Sequence, residues 1–235
     1  MNDYYLDVIT QTNNALKAIN SSYQVSFRAA WSPNGIDGRY YNYQKLAEVT
    51  DFLFVMCYDT RSQIFDQCVA SANAPVNICK KGIEEYLLIG VEPKKLILGI
   101  PWYGYRYECI AEGFNPVEDQ TCEIVQVPFR GVNCSGAAGS EHTYGEIRGL
   151  VNGGSMTSPL WRDNYMDVPF FNYVDSTTGK IYQIWYDDVQ SLTPIYKYAK
   201  DMGLRGTGPD RFDQLDLANN MEESEAMFDA LNVAK

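Results

Sequence analysis

Leu6, Ile9, Leu16 and Ile19 recur at a nearly helical spacing, which predicts an amphipathic helix ending near Asn20. Residues 25–31 read as a mostly apolar strand, stopped by Ser32-Pro33-Asn34-Gly35. A short helix over 43–49 leads into the uninterrupted apolar run 52–58, the pattern of a strand buried on both faces of a parallel sheet. A helix fits 82–89, and residues 96–101 form another buried strand that Pro101 ends. From 103 to 180 the period is lost: cysteines, glycines and single aromatics scatter around a short helix near 144–151. That stretch reads as an inserted subdomain of mostly antiparallel strands, the last at 181–186. A helix over 192–202 follows, capped by Asp188 or Ser191 and with Pro194 in its first turn. A short strand at 204–208 precedes a closing helix over 222–233, with Ala226, Met227, Leu231 and Ala234 inward. Outside the insertion, strand and helix alternate, which predicts βα units around a parallel sheet.

Composition narrows the function classes. Hydrophobic residues are 46% of the 235, so the chain can bury a core. Lys+Arg total 19 against Asp+Glu 30, a net charge of -11, and so acidic a surface repels nucleic acid and anionic lipid. No apolar run reaches membrane-spanning length. The six cysteines form no C-x-x-C pair and His142 is the single histidine, so neither a metal site nor a cofactor is predicted. The cysteine spacing suits disulfides, foremost Cys109 with Cys122 across a short loop. Asn20-Ser21-Ser22 and Asn133-Cys134-Ser135 are N-glycosylation sequons. Together these features indicate the secretory route. The chain as given opens with no signal peptide, so the reading expects its true N-terminus to be missing.

The strand ends carry the chemistry. Met56-Cys57-Tyr58-Asp59 closes one strand, Gly99-Ile100-Pro101-Trp102-Tyr103-Gly104 the next, and Trp185-Tyr186-Asp187-Asp188 stands further on, with Ser191 beyond. In this order and spacing they resemble glycoside hydrolase family 18, the chitinase-like (β/α)8 barrels, and the resemblance runs from about Asp3 to Leu231. It implies a substrate-assisted mechanism, in which the substrate's own N-acetyl carbonyl attacks the anomeric carbon. Tyr58 matches the tyrosine that holds the acetamido oxygen, Asp59 the aspartate facing the general acid, and Met56 a residue on the pocket floor. Trp102, Tyr103 and Tyr105 are either sugar platforms or plain packing, and Trp31 is likewise a subsite wall or core. Tyr186-Asp187-Asp188 reads as structural, and His142 as an exposed loop residue. Where the family places a tryptophan after its last strand, this chain has Asp210, with Phe212 the alternative if the loop is displaced.

The family's D-x-x-D-x-D-x-E run, whose Glu is the acid, does not occur in this sequence. The fold expected from the resemblance is therefore α/β, a partial (β/α)8 TIM barrel of about the last four βα units. An α+β subdomain is inserted between its last two strands. Residues 1–102 supply strands five to seven, 103–186 the insertion, and 187–235 the last helix, last strand and closing helix. The implied ligand is a chitooligosaccharide or the N-glycan core chitobiose, and the implied setting lysosomal or extracellular. The implied partner is the chain's own missing N-terminal half. The competing reading is an inactive, lectin-like sugar binder.

Overall fold

The computed structural model describes residues 4–60 and 67–234. The first helix, α1 (Tyr4–Ile19), buries none of its residues fully but lays Leu6 and Ile9 on the core. It leads to β1 (Ser26–Ala29), α2 (Tyr43–Val49), β2 (Phe52–Met56), α3 (Val76–Leu88) and β3 (Leu96–Pro101). Asn42 caps α2, its Oδ1 accepting from the Lys45 N–H at 3.0 Å. The fourth parallel strand, β9 (Gly206–Asp210), comes from far along the chain and pairs with β3, giving the order β1-β2-β3-β9. Between β3 and β9 the chain builds a second, antiparallel sheet. It contains β4 (Tyr103–Glu108), β5 (Gly139–Thr143), β6 (Trp161–Arg162), β7 (Pro169–Val174) and β8 (Ile181–Trp185), in the order β5-β4-β8-β7-β6. The helices α4 (Tyr144–Asn152), α5 (Val189–Asp201) and α6 (Met221–Leu231) complete the molecule. The result is an α/β fold whose helices pack on a parallel sheet.

The parallel strands are one-sided. Register places Leu53 beside Leu96 and Val55 beside Leu98, and all four are fully buried under the helices. Phe52, Phe54 and Met56, on the alternate pleat, are only half-buried, which corrects the expectation of a strand covered on both faces. Their face carries Arg28 on β1 and Asp210 on β9. Phe54 lies flat across the neighbouring strands: a Cβ on Gly99 would sit 2.3 Å from its ring, and one on Gly208 3.0 Å.

Three further expectations are corrected. α3 begins at Val76, six residues before Gly82, with Pro75 at its N-cap position. Gly82 marks a close approach instead, since a Cβ there would meet the Trp31 carbonyl at 1.9 Å. In α5 Asp188 is the cap, closing a reciprocal box with Ser191, so Pro194 stands inside the helix past its first turn. Its ring deprives the Gln190 carbonyl of a partner, and Gln190 is exposed to water. In α6 the inward stripe is Ser224, Met227 and Ala230; Ala226 is exposed and Leu231 only partly buried.

All six cysteines are paired: Cys57–Cys79 joins the end of β2 to α3, Cys109–Cys122 closes the short loop expected, and Cys68–Cys134 ties the segment after β2 to the long loop before β5. Asn20 and Asn133 are both exposed.

Candidate active site

The C-terminal ends of β1, β2, β3 and β9 converge on Tyr58 and Asp59. Cys57, the residue before Tyr58, is held to α3 by its disulfide. Asp59 takes a left-handed backbone, φ 53, and its N–H donates to Asn73 Oδ1 at 2.6 Å. Aspartate is among the few side chains that tolerate this conformation. The turn throws the carboxylate toward β4, where the Tyr103 and Tyr105 hydroxyls both donate to Oδ1, at 2.9 and 3.2 Å. Oδ2 is the oxygen the phenols leave unengaged. Burial pushes the Asp59 carboxyl above the usual range; the Tyr103 hydrogen bond works against this, and the nearby charge of Glu141 adds to it.

Tyr58 belongs to a second chain of contacts. Its hydroxyl accepts from an Arg28 Nη2 hydrogen, and the same nitrogen pairs with Asp210 Oδ2 at 2.7 Å. Burial, reinforced by Asp210, raises the Tyr58 phenol far above its ordinary value, so it stays neutral at any physiological pH. The rings of Tyr58 and Tyr103 meet edge to face, 6.2 Å between centroids, which links the two groups. A small cavity of about 90 Å3 opens beside them, lined by Trp31, Met56, Tyr58 and Asp59 together with Asp37 and Arg39.

The structure therefore gathers Met56, Tyr58, Asp59, Tyr103, Tyr105, Trp31 and Asp210 at one end of the sheet. It does not bring Trp102 there. That indole is fully buried, donates from Nε1 to the Tyr196 hydroxyl at 3.2 Å and packs edge-on against Phe228, so neither ring face is open for stacking. Phe212 is exposed in the turn after β9. His142 lies on β5, paired with Gly104 and half-buried with Nδ1 3.4 Å from Glu146, not in an exposed loop. Asp187 and Asp188 serve α5, as the sequence suggested: Asp188 caps it, and Asp187 accepts from the Ser191 hydroxyl at 2.8 Å.

Four site residues escaped the sequence reading: Arg28, Asp37, Arg39 and Asn73. A signal existed for Arg28, a lone cation inside the apolar run 25–31. Asp37, Arg39 and Asn73 sit in loops where composition says nothing about direction. Among the described residues no cluster of three His, Cys, Asp or Glu could hold a metal ion.

The profile of glycosyl hydrolases family 18 matches residues 2–208. The chain is 44% identical over 211 residues to di-N-acetylchitobiase of Rattus norvegicus, covering 88% of this chain and 56% of that protein. It is 42% identical over 211 residues to di-N-acetylchitobiase of Homo sapiens, covering 88% of this chain and 53% of that protein. It thus spans little more than half the length of these relatives. A plant class V chitinase mutant from Cycas revoluta, crystallised in complex with (GlcNAc)3, shares the fold with a TM-score of 0.69 at 20% identity, covering 96% of this chain and 62% of that one.

Proposed function

This chain belongs to glycosyl hydrolases family 18, and on that premise we propose that it carries the acetamido-binding side of a retaining, substrate-assisted glycosidase. Its substrates are N-acetylglucosamine linkages in chitobiose-type oligosaccharides, from chitin or the N-glycan core. The observation that carries the reading is that the end of β2 presents, side by side, a neutral Tyr58 hydroxyl held by Arg28 and an Asp59 carboxyl held by Tyr103 and Tyr105. Such a mechanism needs a group to orient the acetamido oxygen so that it can close on the anomeric carbon. The Tyr58 hydroxyl, which accepts from the Arg28 guanidinium that Asp210 anchors, donates its own proton to that oxygen. The cavity beside it, about 90 Å3, holds an acetamido arm over Met56 while the ring lies across the open sheet face. Asp59, a carboxylate beside the general acid, raises that acid's pKa by like-charge repulsion and keeps it protonated.

The parallel strands then correspond to the last four of a (β/α)8 barrel, with 1–102 and 187–235 as barrel and 103–186 as an inserted subdomain. The uncovered face bearing Phe52, Phe54 and Met56 is the barrel interior, and the partner that covers it is the N-terminal half. The sequence holds no D-x-x-D-x-D-x-E run. Leaving-group protonation is worth about 10²–10⁴ in rate, so the chain by itself binds sugar without cleaving it. That same observation favours the second reading, a lectin-like protein. The three disulfides support a lysosomal or extracellular setting.

Calorimetric titration of the chain with chitobiose tests this. Binding is expected, and Tyr58→Phe should weaken it about tenfold, the worth of one hydrogen bond. A chromogenic chitobioside should be hydrolysed no faster than in buffer. Absence of chitobiose binding, or binding indifferent to Tyr58→Phe, overturns the reading.

A further inference from the structure

The two glycosylation sequons end in the same residue type and sit in opposite surroundings. In Asn20-Ser21-Ser22, just past α1, all three residues are exposed, and the Ser22 N–H and hydroxyl both donate to Asn20 Oδ1, at 2.9 and 2.8 Å. In Asn133-Cys134-Ser135, in the long loop before β5, only the asparagine is exposed. Ser135 is 1% exposed. Its N–H and hydroxyl both donate to the Val127 carbonyl, at 3.2 and 2.9 Å, and its oxygen accepts from the Ala137 N–H at 3.2 Å. Between Val127 and Ser135 the loop folds back on itself, Phe129 and Val132 exchanging both backbone hydrogen bonds around Arg130 and Gly131. Those two turn residues take positive φ, 44 and 91, as a tight two-residue hairpin requires. Cys134 is buried and pins the end of this hairpin to Cys68.

We infer that Asn133 is a conditional glycosylation site, open only until Cys134 pairs with Cys68, whereas Asn20 stays open in the folded chain. The inference rests on the secretory setting proposed above and not on the sugar-binding site. In the modification, asparagine Nδ2 forms a bond to C1 of an oligosaccharide carried on a lipid diphosphate. The bond from C1 to the diphosphate oxygen breaks, the diphosphate leaves with the electron pair, and the amide proton passes to a base of the transferase. The transferase also reads the hydroxyl two residues on. At Ser22 that hydroxyl is exposed, and water replaces its bond to Asn20 at little cost. At Ser135 it is engaged twice and shut in, so presenting it means opening the hairpin, which the disulfide at the preceding residue holds closed. Closing that disulfide takes a proton and an electron from each thiol and reduces a protein disulfide of the secretory route to two thiols. Cys68 is made 66 residues ahead of Cys134, a lead of about 3–13 s at ordinary elongation rates, so its thiol is waiting when Cys134 arrives. Disulfides form from seconds upward. Transferase and oxidant therefore compete for adjacent residues over the same interval: an oxidising lumen leaves Asn133 bare and a reducing one fills it.

The test is translation of the full chain, behind a cleavable signal sequence, into microsomal membranes, with glycans counted by gel mobility before and after enzymatic removal. Asn20→Gln and Asn133→Gln assign the bands. In an oxidising lumen Asn20 should be filled and Asn133 mostly bare. Reductant added during translation, or Cys68→Ser, should raise Asn133 occupancy about twofold or more and leave Asn20 unchanged. Misfolding alone could also expose Ser135, so the double variant Cys57→Ser, Cys79→Ser serves as the comparison. It opens a disulfide between β2 and α3 and should leave Asn133 as bare as in the wild type. The inference is overturned by Asn20 left bare, by equal filling of the two sites in the wild type, or by Asn133 occupancy indifferent to reductant and to Cys68→Ser. A rise of the same size in the Cys57/Cys79 variant overturns it as well. None of these outcomes bears on chitobiose binding, the measurement that decides the functional reading.

Discussion

Asp187 is a buried acid that destabilises the molecule as pH rises, and replacing it with asparagine should show how much. The side chain is 1% exposed, one residue ahead of the α5 cap. Oδ1 accepts from Ser191, while Oδ2 is buried without a partner among the described residues. Burial pushes the carboxyl from 3.8 up to about 7; the Ser191 hydrogen bond opposes this, Asp188 reinforces it, and Arg162 on β6 opposes it. Tyr196 on α5 also faces the group, but its phenol is raised by burial and stays neutral. A raised acid in the folded state binds its proton more tightly than the unfolded chain does. Its contribution is therefore complete below about pH 4 and is lost as pH climbs through about 7. The span is worth about 4 kcal/mol, and the positive end of α5 offsets up to about 1, leaving roughly 3 kcal/mol. Asp187→Asn keeps the acceptor and cannot ionise. Urea unfolding at about pH 4.5 should find the two proteins within ~1 kcal/mol, whereas at about pH 8 the variant should be roughly 3 kcal/mol more stable, or about 6–12 °C higher in Tm. Taking the difference between the proteins at each pH cancels every other titrating group. A variant no more stable than the wild type at the higher pH would refute the reasoning.

Two other outcomes follow from the packing. Replacing Cys68 and Cys134 by serine reopens a loop with a sequence separation of 66 and should cost about 4 kcal/mol in chemical unfolding, by loop entropy; a loss under ~1 kcal/mol would show that the unfolded chain is held by other means. Gly99→Val drives a Cβ to 2.3 Å from the Phe54 ring and should cost about 1–3 kcal/mol, much of it recovered in the double variant with Phe54→Ala; additive losses would mean the two do not touch.

β2 and β3 were legible because each carries an apolar run bounded by turn residues, and residues 96–101 and the helix over 43–49 match to the residue; β9, Gly206–Asp210, carries no such run, and the strand expected at 204–208 lies two residues later. Burial on the second face was not legible. Phe52, Phe54 and Met56 look like core in composition, and only the number of layers packed around them decides otherwise. Tyr58 and Asp59 were singled out by the family resemblance together with their place at a strand end, where a parallel sheet gathers its sites. Trp102 could not be placed, because successive residues beyond a strand point opposite ways and one pleat separates a cleft wall from the core. Asp37 and Arg39 had no signal at all, for their direction is set by a turn with a left-handed residue inside it. The Cys109–Cys122 pair followed from proximity in sequence; Cys68–Cys134, linking distant segments, needed the fold.

The strand order β1-β2-β3-β9 also imposes a schedule on synthesis. β9 leaves the ribosome roughly 105 residues after β3, a delay of about 5–20 s at ordinary elongation rates. Throughout that interval the outer edge of β3 has no partner, while β4 to β8, which pair only among themselves in their own sheet, emerge beside it. A nascent chain therefore displays an apolar strand edge for seconds, long enough to engage chaperones or to pair with the wrong neighbour. Asp210 arrives on that final strand, so the Arg28–Tyr58–Asp210 contacts are among the last to assemble.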